Sequence, residues 1–73
     1  MLTTDVALSQ SVWRVLSQDS RLPAQCAQVE AQEGYIVLIG CVETDDQKRL
    51  AEVLAQGVSG VRHVENRLEV RRT

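Results

Sequence analysis

Residues 34–42 read GYIVLIGCV, and how this stretch is taken decides the fold. Aliphatic and β-branched residues running between two glycines predict a β-strand. A strand of a small antiparallel sheet normally alternates apolar and polar side chains, with one face buried and the other wet. Here Ile36, Leu38 and Val42 take one face, while Tyr35, Val37, Ile39 and Cys41 take the other. Both faces are rich in apolar groups, so something beyond a single covering layer must deal with the second.

Upstream, residues 26–32 alternate cleanly, Ala27, Val29 and Ala31 against Gln28, Glu30 and Gln32. Glu33-Gly34 joins the two runs, with glycine supplying the positive φ of a tight turn. A turn centred there fixes the register: Gln32 faces Tyr35, Ala31 faces Ile36, Val29 faces Leu38 and Ala27 faces Gly40. It sets like against like on the inner face. Carried one step further, it sets Cys26 against Cys41. Facing residues have Cα atoms ~4.5–5.5 Å apart, within the ~4.4–6.8 Å span of disulfides. The two thiols are therefore a candidate cross-strand pair, either closing under oxidation or staying reduced as small apolar fillers.

Helical patterns flank this hairpin. Thr4 is a good N-cap with Asp5 in the first turn; Leu8, Val12, Val15 and Leu16 follow as one apolar stripe, and Pro23 lies beyond the helix end. Val6 and Trp13 sit on the flank of the stripe. They are expected to widen the buried face, with a second contact surface as the alternative. Thr44-Asp45-Asp46-Gln47 is a capping box. It opens a second helix with an apolar stripe of Leu50, Val53, Leu54 and Val58, Ala51 beside them, and Gly57 and Gly60 at its end. A last strand, roughly residues 63–71, sets Val64, Asn66, Leu68 and Val70 against His63, Glu65, Arg67 and Glu69. The order is α-β-β-α-β, and two helices cover one sheet face only.

Whole-chain numbers fit one domain over residues 1–73, with its core in 5–70. Of the 73 residues, 44% are hydrophobic and 25% charged, with a net charge of −2, unlike the basic balance of nucleic-acid binders. Residues 60–73 hold Arg62, Arg67, Arg71 and Arg72 against Glu65 and Glu69, a net of +2, and residues 1–59 carry a net of −4. No apolar run reaches the ~20 residues of a membrane span, and MLTTDVALSQ lacks the pattern of a secretory signal. The expectation is a cytoplasmic protein if the chain is complete, and a periplasmic or envelope-associated one if it is part of a longer protein.

DVALSQSVWRVLSQDSRL followed by VEAQEGYIVLIGCVETDDQKRLAEVLAQGVSGVRHVENRLEV resembles the BON domain, a family named for bacterial osmotically inducible and nodulation proteins. The resemblance is carried by Gly34, by Leu38-x-Gly40-x-Val42, and by Gly60-Val61-x-x-Val64-x-Asn66-x-Leu68-x-Val70. It implies an α/β sandwich, with a mixed three-stranded sheet and two helices on one face. It also implies a non-enzymatic module proposed to associate with phospholipid surfaces or envelope partners, with no catalytic residue to carry over.

Other chemistry is sparse. Gly57-Val58-Ser59-Gly60 matches the GxxG of an RNA-clamping loop, but it precedes a strand and holds no basic residue. Cys26, Cys41 and His63 are the only soft metal ligands, against the four of a structural zinc site. With the second and third strands parallel across a helical crossover, His63 lies near Tyr35 and far from Cys41. Asp45 and Asp46 suit a helix N-terminus. No cofactor, metal or nucleic acid is expected. In the strand order first-second-third, Tyr35, Val37 and Ile39 form a central stripe. That stripe is either covered by the stems of neighbouring long side chains or used for contact with a protein partner or a second copy. The other order would put the second strand at an edge. Arg67, Arg71 and Arg72 are the candidate lipid contacts of the alternative membrane-surface reading.

Overall fold

The hairpin is built as its sequence requires. In the computed structural model, which describes residues 5–23 and 27–71, β1 (Ala27–Gln32) pairs antiparallel with β2 (Tyr35–Val42) through Gln32↔Tyr35, Ala31↔Ile36, Val29↔Leu38 and Ala27↔Gly40. Glu33 and Gly34 both take positive φ, +54° and +84°, the two-residue turn whose twist matches that of the strands it joins. Gly40 has φ +144°, which L side chains rarely adopt. That backbone conformation by itself calls for glycine at this position. Cys41 is exposed beside it; Cys26, its expected partner, lies outside the described residues.

α1 (Val6–Gln18) precedes the hairpin. Its cap is Asp5, not the expected Thr4: the Leu8 amide donates to Asp5 Oδ1 at 3.0 Å. Thr4 itself lies outside the described residues. Past the helix end, Arg21 donates to Asp19 through its amide (2.9 Å) and its guanidinium (2.7 Å), and the guanidinium foremost holds the Asp19 carboxyl at about 2.

α2 (Asp45–Gln56) crosses from β2 to β3 (His63–Val70), which runs parallel to β2 with Tyr35 beside His63 and Val42 beside Val70. The capping box is formed in full. The Gln47 amide donates to Thr44 Oγ1 at 3.1 Å, and Gln47 Oε1 accepts from the amides of Glu43 and Thr44. The face of α2 differs from the expected stripe. Ala51 and Ala55 point squarely at the sheet and are fully buried, Leu50, Leu54 and Val58 flank them, and Val53 is 58% exposed. Alanine at consecutive turns lets the helix axis lie close to the sheet; the larger residues then fill the sides.

The sheet order is β1-β2-β3. Both helices pack on the face carrying Ala31, Ile36, Leu38, Val42, Val64 and Leu68, and Leu8, Val12 and Leu16 of α1 complete the core. Val6 and Trp13 do not widen it: they are 58% and 47% exposed. Asn66, on the inner face of β3, is the polar member of this layer. Its Nδ2 donates to the Lys48 carbonyl of α2 at 2.8 Å, and its Oδ1 accepts from the Leu68 amide at 3.1 Å.

Candidate functional site

The helix-free face of the sheet is laid out by the strand registers. Down its centre run Tyr35, Val37, Ile39 and Cys41 of β2. Glu30 lies beside Val37 and Gln28 beside Ile39 on β1; on β3 Glu65 lies beside Val37 and Arg67 beside Ile39. Tyr35 is 42% exposed, whereas Val37 and Ile39 are half-buried with no helix above them. In the registers these two are flanked by Glu30 and Gln28 on one side and by Glu65 and Arg67 on the other.

Glu65 organises one side of this face. Its Oε1 accepts from the Tyr35 hydroxyl at 2.8 Å. Its Oε2 is closed off from water and faces Arg67 Nε as an ion pair without a hydrogen bond of regular geometry. The Tyr35 bond first, then Arg67 against the cost of burial, holds the Glu65 carboxyl below its ordinary range. The same bond raises the phenol of Tyr35. His63 stacks against Tyr35 with ring centroids 4.8 Å apart, so His63 lies by Tyr35 as the parallel pairing demands. Beside this cluster, Glu30, Ala31, Gln32, Tyr35 and Val37 line a concavity of about 220 Å³.

The sequence placed Tyr35, Val37 and Ile39 together, and they are together. It did not find Glu65, whose role depends on a diagonal reach across two strands; the alternating charges of β3 were its only signal. Two of the lipid-contact candidates are exposed and carry ion pairs. Arg67 pairs with Glu65, Arg71 pairs with Glu69 at 3.1 Å, and Arg72 lies outside the described residues. Among the described residues, no group of three or more His, Cys, Asp or Glu side chains converges on a metal-sized site, and no helix is long and apolar enough to cross a membrane.

Fold and face together describe a small α/β sandwich with one helical layer and one open sheet surface. The BON domain model matches residues 4–72, and the chain belongs to that family, which is generally non-enzymatic. It is also similar to osmotically-inducible protein Y of Escherichia coli (strain K12), 31% identical over 67 residues. That match takes in 92% of this chain and 33% of the other, so the chain spans about a third of its relative's length.

Proposed function

We propose that this chain is a non-catalytic binding module that engages protein through the helix-free face of its sheet. The reading is carried by the stripe of Tyr35, Val37 and Ile39, which occupies the centre of a sheet face that no helix covers. Polar neighbours shield the stripe without sealing it, and the concavity beside Tyr35 and Val37 offers a partner side chain a seat. Aromatic and aliphatic groups ringed by hydrogen-bonding side chains are the usual make-up of a protein contact surface. Self-association is the form of this activity that can be measured with the chain alone. Amide resonances of the labelled domain, followed as unlabelled domain is added, are expected to shift at Tyr35, Val37 and Ile39. Val37→Asp is expected to abolish those shifts. Resonances on this face that stay unchanged to the solubility limit would sink the reading.

A further inference from the structure

The strand registers set four rows of side chains across the helix-free face, and the order of charge in them restricts what can lie on it. Tyr35 stands between Gln32 and His63, Val37 between Glu30 and Glu65, Ile39 between Gln28 and Arg67, and Cys41 beside Glu69. Charge therefore changes sign from row to row along β3, while Glu30 is the one charge on the β1 side. Val37 and Ile39 hold the middle of the face, on either side of Leu38, which is buried against the helices. Two sheets that stack face to face lie about 10 Å apart with their strands within about 30° of one another. Each way of laying a second sheet on this one therefore sets particular rows against each other.

Resting on the reading of this face as a contact surface, we infer that its partner is a second copy of the chain, related by a two-fold axis that lies between the sheets, over Leu38 and at right angles to β2. That axis lays β1 over β1 and β3 over β3, and sets the row of Val37 on the row of Ile39 of the other copy. Glu65 of each copy then faces Arg67 of the other. Glu30 faces Gln28, a carboxamide that can donate to it, and His63 faces Glu69. Each pair occurs twice, as in any isologous contact. Val37 and Ile39 of both copies meet at the centre, an apolar middle inside a polar rim. The other two-folds fail on charge or on cover. An axis running along β2 lays β1 over β3 with the rows unchanged, so Glu30 faces Glu65 twice. An axis across the strand at Val37 sets Glu30 and Glu65 each on its own copy; one at Ile39 sets Arg67 on itself and Glu65 on Glu69. Like charges brought together in this way oppose an interface strongly. Axes further out carry Ile39 or Val37 past the end of the opposing stripe. Three strands of six to eight residues keep the contact below about 1,200 Å², in the weak and transient class.

Sedimentation equilibrium over a concentration series in reductant is expected to show a monomer–dimer equilibrium that Val37→Asp abolishes. Glu65→Arg and Arg67→Glu, each alone, set like charges face to face and are expected to weaken it at least about tenfold. Mixed in equal amounts, the two variants present opposite charges at both sites and are expected to recover the dimer as a heterodimer, a recovery that also shows both to be folded. The rows are read with a nitroxide on Arg71→Cys, beyond the end of the stripe, in chains whose Cys26 and Cys41 are replaced by serine. Added to isotope-labelled chains without the nitroxide, it is expected to broaden the amides of Arg62 and His63 at the start of β3. An axis along β2 would instead broaden Ala27 at the start of β1. Shifts on this face with no recovery in the mixture, or with broadening at Ala27, would overturn the inference and leave the face a contact surface for a different protein. A dimer that survives Val37→Asp would lie elsewhere and overturn it as well. A strict monomer whose face resonances stay unchanged would remove both the inference and the reading beneath it.

Discussion

The Tyr35 hydroxyl donates to Glu65 Oε1 at 2.8 Å, and the bond moves both groups in opposite directions. A carboxylate accepting a hydrogen bond and facing Arg67 favours its charged form, so Glu65 titrates below 4.5. The phenol must keep its proton to keep the bond. The Glu65 hydrogen bond first, then burial and the carboxylate charge, raise it above 10.0. The signs for stability follow. The contribution of Tyr35 is whole below 10.0 and is lost as pH rises through its raised folded value. The contribution of Glu65 is whole above 4.5 and is lost as pH falls through its lowered folded value. This chain has one tyrosine, so its phenolate absorbance reports a single site. The midpoint is expected above 10.0 in the folded protein and closer to it in Glu65→Ala. A midpoint that ignores Glu65→Ala would show the bond absent in solution.

At the scale of elements, the hairpin was the most legible part of the chain. Alternation puts Val29, Ala31, Ile36 and Leu38 on the inner face and rules out any one-residue slip, and Glu33-Gly34 has the length that delivers the register observed. The capping box was equally plain, because Thr44 and Gln47 bond within a single turn. Features set by distant elements were not readable. Thr4 and Asp5 are both competent caps, and choosing between them depends on where the Asp5 amide finds Ala31. Val53 looked like core because it is aliphatic, yet α2 approaches along Ala51 and Ala55, whose small side chains gave no hint of leading the face. Trp13 and Val6 fell outside because a three-stranded sheet leaves α1 at its rim. Of the contact face, the central stripe was visible in strand alternation, while the Glu65 network was not, since it spans strands far apart in sequence. One local conflict remains in the turn. Glu33 sits at φ +54°, where a side chain of its kind is disfavoured and Asn is preferred ahead of glycine. Glu33→Asn is expected to stabilise the domain by about 0.5–1 kcal/mol, read as a higher denaturant midpoint with unchanged slope. A lower midpoint would mean that the Glu33 side chain does more than occupy the turn.

For the whole molecule, charge decides between a protein surface and a lipid surface. The family resemblance carries an expectation of phospholipid contact, and the +2 balance of residues 60–73 gives it a starting point. The fold works against that balance. Arg67 and Arg71 lie on the same sheet face as Glu65 and Glu69 and are each paired with one of them, so a membrane would have to draw two arginines out of ion pairs and accept two carboxylates alongside. Glu30 adds a further negative charge on that face, and the chain as a whole is at −2. Recruitment to anionic lipid ordinarily draws on clusters of about 4–8 basic residues, each worth about 1 kcal/mol near the surface. The domain is therefore expected to stay with the unbound fraction when floated with phosphatidylglycerol-containing vesicles at physiological salt. Glu65→Gln with Glu69→Gln, which frees both arginines, is expected to increase co-flotation, and added salt to reverse the gain within a Debye length of about 8 Å. Strong co-flotation of the unaltered domain would restore the lipid role. If it withstood salt, the binding would have to come from Trp13 and Val6 and not from the arginines, since apolar insertion is not screened.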